Sequence, residues 1–179
     1  MNPKILSTAR LILRPYRAED LDDLYEMLSD PRVVEFEPYP TVDRSGAKKA
    51  LKKRMISDEM IAVELKESGK LIGNIYLGKR EQNTLELGYV FNRSFWGMGY
   101  AKEGCAAVVK EAFEAGVHRI CAECDPRNER SWRLLEALGF RREGYLKQNV
   151  YFWTDGQGKP VWKDTYIYAR LKEETACGK

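Results

Sequence analysis

Residues 93–103 (RSFWGMGYAKE) combine glycines at positions 97 and 99 with the start of an amphipathic helix. Glycine lets the backbone turn tightly and lets a ligand approach it closely. The first amides of a helix have no partners within the helix, and the helix dipole favours an anion beside them. We therefore expect this loop to bind an anionic group, and a pyrophosphate suits such a site. A plain glycine-rich turn remains the alternative.

Two familiar phosphate-binding motifs do not match this loop. A Walker loop requires Gly-Lys-Ser/Thr, but Lys102 is followed by Glu103. A dinucleotide fingerprint requires G-x-G-x-x-G, but Tyr, Ala and Lys follow Gly99. The loop therefore predicts an anion site of another kind.

Histidine and cysteine are too sparse for several other chemistries. His118 is the single histidine, which disfavours Ser-His-Asp and Cys-His enzymes. Cys121 and Cys124 spell C-x-x-C, but they lie in a predicted strand, where residues three apart point to opposite faces. No second C-x-x-C exists, so we predict a structural pair and no metal site. Together with Cys105 and Cys177, they are expected to be free thiols.

The composition is that of one globular domain, which we take to span residues 1–179. The net charge of +3 is too small to indicate nucleic-acid binding by itself. The densest basic stretch, residues 48–54 (KKALKKR), is typical of the solvated face of a helix. Because we find no membrane-spanning run and no signal peptide, we expect a cytoplasmic protein that does not bind a membrane.

Hydrophobic periodicity predicts the elements that must position the glycine loop. Strands clustered early in the chain, followed by helix–strand alternation, predict an α/β (α+β) fold with a mixed sheet and helices on both faces. In the second helix, the predicted apolar side consists of Ala47, Ala50, Leu51 and Met55. In chain order, the predicted elements are strand 10–16, helices 21–28 and 43–57, strands 61–66, 70–77 and 84–91, helix 101–113, strand 119–124, helix 128–138, and strands 140–152 and 161–171.

A series of short motifs runs through nearly the whole chain. They are TARLILR, ELGY, FWGMGYA, N-x-x-S, GF and EG, at residues 8–14, 86–89, 95–101, 128–131, 139–140 and 143–144. In this combination the chain resembles the GNAT N-acetyltransferase superfamily, in the branch similar to ribosomal-protein N-terminal acetyltransferases. The resemblance implies a mixed, mostly antiparallel sheet of six to seven strands, with helices on both faces and splayed central strands.

The resemblance also implies acetyl-CoA as co-substrate. Gly99 and Ala101 match the superfamily loop, in which a polar residue is usual where Trp96 stands. The pantetheine arm is expected between strands 84–91 and 119–124, and Asn128 should bond it or act as a plain helix cap, or both. The implied contacts are Tyr89, Val90, Phe91, Trp96, Gly97, Met98, Gly99, Tyr100, Ala101, Lys102, Asn128 and Ser131.

Acetyl transfer from a thioester to an amine requires the amine to lose a proton. Glu86 is the candidate base, because a carboxylate among apolar strand residues can have a raised pKa. It shares a strand face with Gly88, which is expected to leave open space beside it. An ordinary strand carboxylate is the alternative role of Glu86, and Glu103 is a rival base.

The departing thiolate gains from a proton, and the oxyanion needs a hydrogen-bond donor. Ser131 is the candidate proton donor. Many superfamily members carry a tyrosine four residues later, where this chain has Leu135, so Tyr166, Tyr168 or water remain alternatives. A backbone amide near Val90 is the expected oxyanion donor.

The predicted function is that of an N-acetyltransferase acting on a primary amine, in a small molecule or at a protein N-terminus. Acceptor contacts are expected from residues 35–40, where Glu35 and Glu37 would suit a cation, and from residues 154–160. A non-catalytic CoA-binding sensor is the alternative, because the usual tyrosine is missing. Nucleic-acid binding rests only on residues 48–54, and the sequence leaves a homodimer open.

Overall fold

The computed structural model describes residues 5–175, so Cys177 and the outermost residues of the expected 1–179 domain lie outside the described part. Its helices and strands follow the predicted order, with one strand added at the start. Short 3₁₀ turns at Ala18–Asp20, Arg93–Phe95 and Lys172–Thr175 complete the chain. The elements are β1 Leu6–Ser7, β2 Leu11–Arg14, α1 Leu21–Ser29, α2 Arg44–Met55, β3 Met60–Leu65, β4 Leu71–Lys79, β5 Thr84–Phe91, α3 Tyr100–Glu114, β6 Arg119–Cys124, α4 Glu129–Ala137, β7 Arg141–Thr154 and β8 Pro160–Leu171.

The eight strands form one sheet in the order β1-β2-β3-β4-β5-β6-β8-β7. All neighbouring strands are antiparallel except β5 and β6, which are parallel. The prediction of six to seven strands was one short, because β1 pairs through only Leu6 and Ser7. Two residues are too few to produce a periodic pattern.

The central strands β5 and β6 separate, as the resemblance implied. They pair only where Thr84–Glu86 lie beside Arg119–Cys121. Beyond that point β5 pairs only with β4, through Phe91, and β6 pairs only with β8, through Cys124. A gap therefore opens between them, and it widens toward the residues that lead into α3 and α4.

Helices cover both faces of the sheet. On one face, α3 and α4 pack through residues such as Val108 and Leu135 against the β5 side chains Leu85 and Leu87. On the other face, α1 and α2 pack with Val90 in a second cluster. The alternation of β5 side chains between these clusters is the period of two that a sheet buried on both faces requires.

Helix α2 differs from its prediction on one side. Asp43 caps it by accepting a hydrogen bond from the Gly46 amide at 2.7 Å, and Ala47 and Leu51 are buried. Met55, predicted to be apolar and inward, is 43 % exposed, while Arg54 is buried. Arg54 lies seven residues after Ala47 and three after Leu51, so it shares their side of the helix. The basic stretch is therefore not solvated throughout.

Within residues 5–175, no helix is long and apolar enough to cross a membrane. The same part of the chain contains no group of three or more His, Cys, Asp or Glu side chains placed to hold a metal ion. Cys105, Cys121 and Cys124 are free thiols, as predicted.

Candidate active site

The glycine loop leads directly into α3, and no side chain caps the start of this helix. Gly97 and Gly99 have φ angles of 75° and 81°, a conformation that residues with a side chain rarely adopt. A Cβ atom at Gly97 would meet nothing within 4 Å, so the backbone here is open to a ligand. The amides of the first helical turn therefore remain available to an anionic group.

Side chains around the loop fix its shape. Tyr100 packs edge-on against Phe95, with the ring centroids 6.1 Å apart. Met98 is exposed, Ala101 is half-buried, and Lys102 is exposed in the first turn of α3. What this loop offers to an anion is thus its main chain rather than a cluster of polar side chains.

Arg10, just before β2, fastens the loop from the side. It donates to the Met98 carbonyl at 2.9 Å and to Glu103 at 2.7 Å, and its guanidinium lies 4.3 Å from the centroid of the Tyr100 ring. Thr8 also donates to Glu103, at 2.6 Å. Although burial opposes them, these hydrogen bonds lower the pKa of Glu103. Glu103 is therefore held as a structural carboxylate, which disfavours it as the rival base.

The direction of the β5 main chain determines which groups face the gap. The Asn92 amide donates to the Ile72 carbonyl of β4 at 2.9 Å, and the Thr84 carbonyl accepts from the Arg80 amide, just past the end of β4, at 2.8 Å. The register between these two points is unbroken. Alternation along an antiparallel ladder therefore turns the Val90 main chain toward Asn74 of β4. The main-chain groups that face the gap are those of Tyr89 and Phe91 and the Leu87 carbonyl, whereas the Leu87 amide belongs to the last β5–β6 pair. The expected oxyanion donor near Val90 thus becomes an amide of one of its two neighbours.

Trp96 forms a wall at the open end of the gap. Its indole Nε1 donates to the Phe91 carbonyl at 2.8 Å. The Arg130 guanidinium, from α4, lies 4.5 Å from the centroid of the Trp96 ring. Trp96 thus connects the loop, β5 and α4. The polar residue that is usual at this position in the superfamily has no aromatic ring to pack against Arg130.

Asn128 caps α4, as predicted. Its Oδ1 accepts a hydrogen bond from the Ser131 amide at 3.2 Å. This cap uses only the oxygen of the side chain, and both donors lie on its nitrogen. The cap and a contact to a ligand in the gap are therefore compatible.

Tyr89 and Ser131 meet across the gap. The Tyr89 hydroxyl donates to the Ser131 carbonyl at 2.9 Å and lies 3.0 Å from the Ser131 hydroxyl. Burial raises the pKa of Tyr89, so its hydroxyl keeps its proton. Burial also raises the pKa of the neighbouring Cys124 thiol to about 11, against the opposing effect of Ser131. The Ser131 hydroxyl is thus in hydrogen-bond contact with the neutral Tyr89 hydroxyl.

The other candidate proton donors have different partners. Leu135 is buried in the core, and the Tyr168 hydroxyl donates to Glu136 at 2.9 Å. The Tyr166 ring packs against the Tyr145 ring, with a centroid separation of 5.2 Å. The Tyr89 hydroxyl, which the sequence analysis missed, is the one that reaches Ser131. Strand alternation predicted the sheet face on which Tyr89 lies, but no local sequence pattern predicted its contact with Ser131 of α4.

Glu86 lies at the closed end of the gap, where it forms the last β5–β6 pair with Cys121. Burial raises its pKa, and an ion pair with the mostly exposed Arg80 offsets this only in part. The open space expected beside Gly88 is partly filled, because a Cβ there would contact Tyr76 at 3.5 Å. Glu86 therefore has the raised pKa expected of a base, with an exposed cation beside it.

The segment between α1 and α2, which includes the predicted acceptor contacts at residues 35–40, lies near β8. Burial raises the pKa of Glu37 to about 7, against the opposing effects of Tyr39, Arg54 and Lys163. Glu35, by contrast, is exposed. The residue near Glu37 on the β8 side is thus Lys163, which follows the predicted turn at residues 154–160.

Comparisons with known proteins agree with this geometry. The family described as Acetyltransferase (GNAT) domain matches residues 10–141. An uncharacterized N-acetyltransferase of Bacillus subtilis, YnaD, is 34 % identical over 172 residues, which cover 94 % of this chain and 98 % of that protein. The ribosomal protein uS5-alanine N-acetyltransferase of Escherichia coli is 37 % identical over 94 residues, which cover 52 % of this chain and 45 % of that enzyme.

A crystal structure of a GNAT-family acetyltransferase from Bacillus anthracis has the same fold. It superimposes with a TM-score of 0.86 at 32 % identity, and the match covers 95 % of this chain and 99 % of that one. The likeness therefore extends over nearly the whole chain. On the sequence match and the shared fold together, the chain belongs to the GNAT acetyltransferase family and is an acetyltransferase.

Proposed function

We propose that the enzyme moves an acetyl group from acetyl-CoA directly to a primary amine, without an acetylated enzyme intermediate. The observation that carries this proposal is the gap between β5 and β6, which opens at the uncapped start of α3. Acetyl-CoA has an anionic head group, which suits the start of a helix, and an extended arm, which suits the edge of a strand. To bind both parts at once, these two features must lie side by side.

In this proposal the main chain binds most of the co-substrate. The amides of residues 97–102 hold the pyrophosphate, and gap-facing groups of Tyr89 and of the Phe91 amide bond the arm. The Phe91 carbonyl does not take part, because Trp96 already occupies it. Asn128 donates from the opposite side. From Phe91 to Glu86 the strand advances about 17 Å, the span available to the arm.

The thioester then lies near the closed end of the gap, within reach of Glu86. Glu86 takes a proton from the acceptor amine, directly or through water, and an amide next to Val90 stabilises the oxyanion. Ser131 gives a proton to the departing thiolate, while the Tyr89 hydroxyl keeps its own proton and holds the Ser131 hydroxyl in place. Solvent then returns a proton to Ser131 and takes the one that Glu86 removed from the amine. Water remains the alternative donor.

The acceptor is proposed to be a primary amine, in a small molecule or at a protein N-terminus. The relative from Escherichia coli acts on an alanine of a ribosomal protein, but that match spans about half of either chain. We place the enzyme in the cytoplasm, where unpaired thiols such as Cys121 and Cys124 are expected. The sequence is compatible with a homodimer, and sedimentation analysis would measure the oligomeric state.

Release of free thiol from acetyl-CoA, measured against a panel of peptides, amino acids, polyamines and aminoglycosides, tests the proposal. We expect release that depends on both acetyl-CoA and one class of amine. Tight CoA binding without release for any amine would instead support the non-catalytic sensor.

A further inference from the structure

A group of buried polar side chains lies on the α1/α2 side of the sheet, outside the machinery proposed above. Tyr16, Arg54, Asn74 and Lys163 are 4 %, 9 %, 4 % and 8 % exposed. The Tyr16 hydroxyl, the Asn74 Oδ1 and two guanidinium nitrogens of Arg54, Nε and Nη1, have no hydrogen-bond partner. An unpaired buried polar group costs free energy, so three such residues together indicate a missing partner.

These residues come from separate parts of the chain, where Arg54 lies beside Tyr16 and both Arg54 and Lys163 lie near Glu37. The Arg54 guanidinium, in the last turn of α2, is 5.8 Å from the centroid of the Tyr16 ring, just beyond β2. The Lys163 ammonium of β8 is 5.1 Å from the centroid of the Phe152 ring. Glu37 lies within electrostatic range of both cations. Asn74 projects from β4 on the same face as Glu86, because its partner Val90 lies four residues from Glu86.

Arg54 connects the cluster to a cavity at the surface. Arg54 and Tyr39 line a cavity of about 320 Å³ between α2 and the segment that precedes it. Its other charged lining residues are Lys49 and Lys53, and no carboxylate lines it. The walls of the cavity are otherwise apolar, so a ligand here meets three cations in a partly desolvated space.

The charges around Arg54 do not cancel. The nearby Arg14, Asp20 and Glu64 are already paired with one another, at 2.7 and 2.5 Å. Asp125, close to Lys163, is paired with Arg127 at 2.6 Å. Among residues 5–175, Glu37 is the remaining carboxylate near both Arg54 and Lys163, and it does not balance these buried cations together with the lysines at the cavity mouth. An anionic ligand group would complete this balance.

We propose that Arg54, with Tyr16 and Lys163, receives a carboxylate carried by the amine acceptor, while Asn74 accepts a hydrogen bond from an acceptor N–H. The substrate class is therefore a short peptide or a long ω-amino acid with a free carboxylate, extended enough to reach from Glu86 to Arg54, rather than a polyamine or an aminoglycoside. This inference rests on the proposed acetyl transfer and replaces the cationic acceptor that Glu35 and Glu37 had led us to expect. Glu86 and Asn74 lie about 14 Å apart along the sheet, so the amine and the carboxylate are separated within the acceptor.

Matched acceptors of equal length test the charge requirement. The series is ω-amino acids and peptides of increasing length, each paired with its own carboxamide, with thiol release followed at saturating acetyl-CoA. We expect kcat/KM for the acids to exceed that for the amides by about ten- to a hundredfold, as for loss of a hydrogen bond between charged groups. Equal rates for acid and amide would overturn the inference and leave acetyl transfer itself intact. Release with no amine at all would count against the transferase.

Variants then assign the effect to Arg54. Arg54→Gln should raise KM for the acids at least tenfold while it leaves KM for acetyl-CoA and the slow turnover of the amides unchanged. Lys52→Gln, an equal charge change at an exposed position of the same helix, is the control. Because Arg54 is buried, Arg54→Lys provides a second variant, and acetyl-CoA affinity by calorimetry verifies the fold of both. If folded Arg54→Gln and Arg54→Lys retain the wild-type KM for acids, the assignment is wrong.

Discussion

Glu86 is the residue on which the chemistry of transfer depends most. Its side chain lies where β5 and β6 part, next to an arginine that is exposed enough to move aside. Burial raises its pKa, which brings a carboxyl group closer to the pH at which a base works well. The deprotonated form is the active one, so the rate must fall as pH decreases through this pKa.

Replacement of the carboxylate tests that role. Glu86→Gln should lower kcat/KM by about 10² to 10⁴ and flatten the acid side of its pH profile. Glu67→Gln, the same change in the exposed turn between β3 and β4, is the control and should keep the wild-type profile. An acid limb that survives in Glu86→Gln would remove Glu86 as the base.

The Tyr89–Ser131 pair is the second residue-scale feature. If Ser131 protonates the thiolate with Tyr89 behind it, Ser131→Ala and Tyr89→Phe should each lower kcat by about tenfold or more. Their effects should not add in the double variant, because the two hydroxyls act as one unit. Tyr168→Phe, which loses a hydroxyl bonded to Glu136 instead, should leave kcat near the wild-type value. Strictly additive losses would argue that the two hydroxyls work independently.

Some residue roles were readable from the sequence and some were not. Asn128 was identifiable as a cap, because a polar residue precedes an amphipathic run. The Tyr89 hydroxyl and the Arg10 contacts to the loop join positions 42 and 88 or more residues apart, which no local pattern encodes. Arg54 did carry a signal, the helical spacing from Ala47 and Leu51, but its charge favoured a solvated position.

At the scale of elements, the glycine loop and α3 act together. The loop positions its amides through backbone conformation, and Arg10 and Trp96 hold it against β2 and β5. The bounds of β5 and β6 were predicted correctly, because turn residues flank both strands. Their separation came from the resemblance rather than from periodicity, which cannot specify which strands pair.

A bulky residue in the loop should block the head group of the co-substrate. Gly99→Trp should abolish CoA binding in calorimetry, because the indole would occupy the space before the first helical turn. Gly158→Trp is the control, because Gly158, like Gly99, has a positive φ angle, here 78°. A Cβ atom at Gly158 would meet no other atom within 4 Å, so the new side chain fits there. The control should bind CoA as the wild type does. Retained affinity in a folded Gly99→Trp protein would place the head group elsewhere.

At the scale of the whole molecule, the sheet divides the work between its faces. The face covered by α3 and α4 contains the gap-lining Tyr89 and Ser131, and the face covered by α1 and α2 contains Glu86 and the Arg54 cluster. The two substrates would therefore approach from opposite sides and meet where β5 and β6 part. This arrangement keeps both in line for direct transfer.

The most direct test of this account is amide hydrogen exchange of the protein, resolved by residue, with and without CoA. We predict that CoA slows exchange at residues 97–102 and at the gap-facing amides of Tyr89 and Phe91, while the Val90 amide, already bonded to β4, changes little. Unchanged exchange at the start of α3, with protection in another part of the molecule, would contradict the account.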